Sequence, residues 1–308
     1  MNELALKLPP KRIPGWVKKP AGGAGEGLSA FLFLSPTLII FGMFILFPVF
    51  FSFYLSFQHW NMFSTDQSFV GFDNYVRLFQ SPEFWQVLRN TLLFTLGTVP
   101  LNMILALGVA YILNKKIAGR KFLRTAFFAP VIISPVAAAL IWRWIYDPNF
   151  GLFNYTLSFL GVEAVNWLND PTAAMFALII MGVWKTFGIN MVLFAAGLQG
   201  IPSHYYEAAE IDGAGKWSQF WHITIPLLTP TTFFILVMSM ITSFQVFDLV
   251  YVLTSGGPLG ATKVLVFYIY EQAFQFFEMG YASAVSYILF AILFTLTLLQ
   301  VKYLKYRI

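Results

Sequence analysis

The 308-residue chain is 58% hydrophobic and 19% aromatic, with only 11% charged residues and a mean hydropathy of +0.70. That balance excludes an ordinary water-soluble domain and predicts an all-α membrane protein in contact with a lipid bilayer. The net charge of +5 makes no case for a nucleic-acid partner, because basic residues in a membrane protein chiefly record orientation, and the absence of Cys excludes disulfides and thiolate metal sites.

Residues 1 to 27 are rich in Lys, Pro and Gly and predict a flexible tail ahead of a membrane domain over 28 to 308. Gly22-Gly23-Ala24-Gly25-Glu26-Gly27, followed by Leu28-Ser29, has the outer spacing of a nucleotide-binding loop. Leu28 stands where the phosphate-binding Lys is required and no strand precedes it, so the stretch reads as a linker. His59, His204 and His222 are scattered, and no metal site or cofactor is expected.

A lipid core about 30 Å thick needs roughly 20 apolar residues per helix. Six such runs follow in order: Ala30 to Phe57, Thr91 to Leu113, Thr125 to Tyr146, Thr172 to Leu198, Leu227 to Leu253 and Tyr281 to Tyr303. The first is too long and too far from the N-terminus for a signal peptide, so it is expected to remain as an anchor. Basic residues cluster before the first run (Lys7, Lys11, Arg12, Lys18, Lys19), between the second and third (Lys115, Lys116, Arg120, Lys121, Arg124) and after the last (Lys302, Lys305, Arg307). The other connections hold only Arg77, Arg89 and Lys263, which places both termini on the cytoplasmic side. Arg143 and Asp147, spaced i, i+4, are expected to pair. Trp60, Trp142, Trp144, Tyr146, Tyr303 and Tyr306 are expected as interfacial anchors.

Between the fourth and fifth runs, about 199 to 226, lies a polar island of small residues on the predicted cytoplasmic side. Pro202-Ser203 opens a short helix over Tyr205 to Asp212, with Glu207 and Glu210 near its positive end. Ala208, Ala209 and Ala214 leave room for close approach, Gly213 and Gly215 permit a sharp turn, and Lys216 to His222 adds a second helical turn. Two readings stand here, a plain connector or a knob built for docking.

The spacing Glu207-Ala208-Ala209, Gly213, Ile223 and Pro226 resembles the EAA signature of permease subunits in ABC-type importers, with Ile225 where Leu is usual. Gly71-Phe72-Asp73-Asn74-Tyr75, Asn90-Thr91, Gly197-Leu198-Gln199-Gly200-Ile201-Pro202, Phe247-Asp248 and Thr254-Ser255-Gly256-Gly257-Pro258 resemble the branch of carbohydrate importers related to the maltose and glycerol-3-phosphate systems. The resemblance implies a six-span permease in a prokaryotic cytoplasmic membrane, paired with a second homologous permease, two copies of an ATPase and an extracytoplasmic solute-binding protein. It also implies that Glu207, Ala208, Ala209, Asp212 and Gly213 couple the chain to the ATPase, and that loops holding Asn74 and Gly257-Pro258 face the solute-binding protein.

Polar groups inside spans are functional candidates. Lys185, Thr186 and Asn190 lie in the fourth run, and Thr242, Ser243, Gln245 and Asp248 in the outer half of the fifth, beside Phe244, Phe247 and Tyr251. Hydroxyls and aromatic faces suit a sugar. The same residues also serve as plain interhelical hydrogen bonds, and Lys185 suits pairing with a carboxylate on a neighbouring subunit. An ion-driven secondary transporter and a membrane scaffold remain as alternatives, the first disfavoured because Asp248 is the sole clear intramembrane acid.

Overall fold

The computed structural model describes residues 24–63, 67–115 and 117–304. The tail before Ala24, with Lys7, Lys11, Arg12, Lys18 and Lys19, lies outside the described residues, as do Lys116, Lys305, Arg307 and Tyr306. Two compact units meet in sequence at Ser52 and Phe53. In the N-terminal unit α1 (Ala24–Phe41) passes through a π-helical turn, Gly42–Leu46, into α2 (Phe47–Leu55). Helix therefore begins inside the stretch expected as tail. Ser29–Leu55 has a mean hydropathy of 2.4 and is apolar on every face, which fits a membrane span.

The main body is built on a parallel pair, α4 (Pro82–Asn114) and α8 (Pro171–Gln199). Both begin with a Pro in the first turn behind a capping side chain: Ser81 Oγ accepts from the Phe84 amide, and Asp170 Oδ1 from those of Thr172 and Ala173. α5 (Arg120–Ile132) packs on α8 where Gly188 removes the obstacle; a Cβ there would sit 2.5 Å from the Phe127 carbonyl oxygen. α6 (Pro135–Ile145) leaves α5 at 101°, so the predicted third span is broken at Ile133-Ser134 rather than continuous. α12 (Thr229–Phe244) packs on α4, α8 and the last long helix, α15 (Met279–Leu304). Among the described residues four helices are long and apolar enough to cross a bilayer, or up to six if each bent pair counts as one span.

Several expectations change once the side chains are placed. Trp142 is only 7% exposed and Tyr146 is buried, its hydroxyl donating to the Ala177 carbonyl at 2.8 Å, so neither is an interfacial anchor. Both belong to a core shared with Phe94, Met181 and Val250. Trp144 is exposed. Arg143 and Asp147 form no ion pair; the Asp147 carboxylate instead accepts from the Asn149 and Phe150 amides, closing the turn after α6.

At one end of the body a short hairpin (β1 Gln58–His59, β2 Ser68–Phe69) and α3 (Asp73–Gln80) were not anticipated. Asn74 is buried and donates to the Ser56 and Gln58 carbonyls, so it fastens the hairpin and is not a surface contact. Arg77 pairs with Glu278, which raises the guanidinium pKa. Lys263 pairs with Glu83 and Glu271; burial pulls its pKa down, but the two carboxylates outweigh that and leave it raised. Asn90 donates to the Gly260 and Lys263 carbonyls and Thr91 accepts from the Leu265 amide, clamping the 256–265 loop onto α4. Because α4 and α8 run parallel, the island that follows Gln199 lies at the opposite end.

Candidate functional site: an intramembrane cavity and an exposed helical knob

The knob begins with α9 (His204–Ile211), within one residue at each end of the helix expected over Tyr205 to Asp212. Its end is a Schellman closure: the Gly213 amide donates to the Glu210 carbonyl at 3.1 Å and the Ala214 amide to that of Ala209 at 2.8 Å. Gly213 adopts φ +79°, the left-handed region where a side chain is strained. Gly215 is extended, and its freedom is not used. The chain resumes as α10 (Lys216–Gln219), a π turn (Phe220–Thr224) and α11 (Ile225–Leu227).

Glu207 sits in the first turn of α9, but Glu210 lies near its end rather than its start and pairs with Lys216 across the bend. That pairing lowers the Glu210 pKa. Tyr206 and Thr224 hydroxyls lie 3.0 Å apart and join the two arms. Glu207 and Asp212 make no side-chain bond among the described residues, and Ala208 is exposed with them while Ala209 is half-buried. Beside them Ile211 is 87% and Trp217 74% exposed. Large apolar groups exposed to this degree are ones that a partner or a lipid surface can cover.

The intramembrane candidates converge on one cavity of about 680 Å³, the usual size of a small-molecule site. Lys185, Thr186, Asn190, Thr242, Ser243, Gln245 and Asp248 all line it. Its walls are α4, α8 and α12, joined by Pro135 at the start of α6. The fifth span ends earlier than predicted, at Phe244; Asp248 opens a separate short helix, α13 (Asp248–Leu253), at the mouth of the bend.

The side chains divide by what they already hold. Lys185 Nζ donates to the carbonyls of Pro130 (2.7 Å), Val131 (3.3 Å) and Ile133 (2.5 Å), so it secures the broken third span and forms no ion pair among the described residues. Asn102 is buried and central: its amide donates to the Val183 carbonyl and Thr186 Oγ1, and its oxygen accepts from Asn190. Asn190 continues to Ser239, and Ser243 donates to Thr95 at 3.1 Å. Thr242 turns back onto its own helix. Gln245 and Asp248 carry no side-chain bond among the described residues, and Thr98 Oγ1 is buried without a partner on the cavity wall. Asn102, Thr98 and Ser239 were not singled out in the sequence; an Asn in the middle of the second apolar run was signal enough.

A family model described as the inner membrane component of binding-protein-dependent transport systems matches residues 99–308. The chain belongs to this family. It is 39% identical over 295 residues to a probable ABC transporter permease protein, YesP, of Bacillus subtilis, with 94% of each chain covered. It is 38% identical to the trehalose/maltose transport system permease protein MalF of Thermococcus litoralis, covering 92% of this chain and 95% of that one. A crystal structure of a bacterial ABC transporter involved in import of the acidic polysaccharide alginate superposes at a TM-score of 0.80 and 25% identity, covering 91% of this chain and 96% of its counterpart. The chain is therefore a membrane-spanning transport subunit of an ABC importer, of the carbohydrate-type branch expected from its motifs, and not an enzyme. That membership leaves the ion-driven alternative without support.

Proposed function

We propose that this permease carries a sugar or oligosaccharide into the cytoplasm through the α4–α8–α12 cavity, driven by a separate ATPase that grips the α9 knob. The knob carries the reading: the spacing that resembles the EAA signature falls on an exposed, hydrogen-bonded bend where Glu207 and Asp212, unpaired among the described residues, lie beside Ile211 and Trp217. Glu207 is the charged contact, Ala208 and Ala209 the close-approach surface, and Gly213 the bend that sets the two arms. A second homologous permease completes the pore, two ATPase copies supply the stroke, and a solute-binding protein delivers cargo at the end bearing α3. Both termini then face the cytoplasm, in keeping with the distribution of basic residues. The sugar assignment is supported by the trehalose/maltose and alginate importers among the similar proteins and by a cavity that offers Gln245, Asp248 and Phe247 to hydroxyls and ring faces.

Vesicles containing the whole importer should accumulate sugar only with ATP and the co-expressed ATPase. Uptake by this chain alone under an ion gradient would sink the reading. Glu207→Ala should leave the complex assembled yet lower sugar uptake per ATP hydrolysed by about tenfold, as for one lost charge-assisted hydrogen bond. An unchanged ratio would remove the knob from the coupling path.

A further inference from the structure

A second cavity, of about 170 Å³, lies between α4, α5 and α8 at the end of the body that bears the knob. Its floor is apolar, with Leu113, Met191 and Ala195 buried, and its rim is the exposed Val192, Ala196 and Gln199 of α8. From Met191 to Gln199 the slot runs along eight residues of helix, roughly 12 Å. One charged side chain lines it, Arg124. Arg124 Nε and Nη2 are buried and have no hydrogen-bond partner among the described residues. No carboxylate among them pairs with Arg124, or with Arg120 one turn earlier on α5.

Guanidinium donors buried without an acceptor are costly, so this arrangement calls for an acceptor from outside the chain. An ordered water needs several polar partners, and the lining side chains give it only Arg124 and Gln199. No charge follows Arg124 until Arg143, so the guanidinium stands where the apolar stretch of the third span begins, at the level of lipid headgroups. We propose that this cavity binds one anionic phospholipid, its phosphodiester held by Arg124 and Gln199 and an acyl chain laid past Ala196 and Val192 toward Met191. The guanidinium fork matches phosphate oxygens, and the apolar slot beyond it matches the chain; a free phosphate would leave that slot unused. Lys115, Arg120 and Lys121 form no ion pair among the described residues, which favours a net negative headgroup over a zwitterionic one. Such a site is independent of what the importer carries.

The test uses the whole importer, purified with its second permease and ATPase and stripped of native lipid in detergent. Phosphatidylglycerol, or phosphatidylcholine with the same acyl chains, is titrated in, and bound lipids are counted on the intact complex by native mass spectrometry. Arg124→Gln should weaken one phosphatidylglycerol per copy of this chain about tenfold, as for a lost charge-assisted hydrogen bond, and change phosphatidylcholine binding less than about twofold. Ala196→Phe keeps the guanidinium but closes the slot, and should weaken that lipid about as much; Val192→Phe repeats the measurement should Ala196→Phe disturb the fold. Lys121→Gln, which removes an exposed cation outside the slot, should change it less than about twofold. Phosphatidylglycerol binding unmoved by Arg124→Gln, or by both slot-closing variants, would overturn the proposal, as would an equal effect from Lys121→Gln. Displacement of the lipid by millimolar inorganic phosphate would make this a free-anion site instead. Loss of the second permease in Arg124→Gln, with the lipid count on the remaining chains unchanged, would assign the guanidinium to a partner chain and likewise overturn it.

Discussion

The third and fifth spans are both bent, and they are held in different ways. Between α5 and α6 the chain turns through 101°, and Ile133 and Ser134 both leave the helical region, at ψ 136° and 134°. Pro135 also lacks the amide that the Val131 carbonyl would accept from in a continuous helix. At that break a lysine from another helix takes three carbonyls, those of Pro130, Val131 and Ile133. Between α11 and α12 the turn is 64°, yet Leu228 stays near-helical at φ −82°, ψ −4°. Pro230 removes an amide there too, but the Leu228 amide serves the Pro226 and Thr224 carbonyls, and the Thr232 amide reaches Leu228 at 2.8 Å. A bend that keeps helical dihedrals satisfies itself. One that abandons them over two residues in lipid needs donors from elsewhere.

Removing the outside donor is the strongest way to break this contrast. Lys185→Met should lower the stability of the purified importer by roughly 3 kcal/mol, about 1 kcal/mol for each carbonyl left bare, read as a fall in melting temperature in detergent. Lys185→Arg, which keeps the charge and donors, should recover part of it. A melting temperature unchanged in Lys185→Met would mean that the break holds without its cation.

A smaller effect sharpens the mechanism. Pro135 opens the first turn of α6 behind two extended residues, so an alanine amide there has no helical path back to the Val131 carbonyl. Pro135→Ala in a Lys185→Met background should therefore recover no more than about 1 kcal/mol, which a double-mutant cycle measures directly. Full recovery of the Lys185→Met loss would mean that the break straightens into a continuous helix once the proline is gone.

The two breaks also mark where sequence reading stops. Apolar runs locate spans because hydropathy is additive along the chain, and the knob was legible down to Gly213 because helix ends follow local rules of caps and turns. The seven intramembrane residues picked for polarity do line a single cavity, since lipid leaves polar groups few other places to point. What each one does was not legible. Lys185 reads the same in sequence whether it meets a ligand, a neighbouring carboxylate or, as here, a carbonyl cluster fifty residues upstream. Trp142 and Tyr146 look like interface aromatics because they end an apolar run, and only the turn of α6 buries them. Asp248 was counted inside a span because Phe244 to Phe247 are as apolar in sequence as the helix they leave.

The smallest expected effect lies at the second break. Thr229 Oγ1 approaches the Ile225 carbonyl at 3.4 Å, the only side-chain donor to that bend among the described residues. A bond that long adds little, and side-chain hydrogen bonds in membranes average about 0.6 kcal/mol even when well formed. Thr229→Val preserves the branched shape and deletes the donor, so it should shift stability by no more than about 0.5 kcal/mol in the same melt. The backbone bonds of Leu228 and Thr232 carry this bend, and a valine leaves them untouched. A loss approaching that of Lys185→Met would instead mean that the fifth span, like the third, depends on a side chain to stay bent. The two breaks would then differ only in whether that side chain comes from the same helix or from a neighbour.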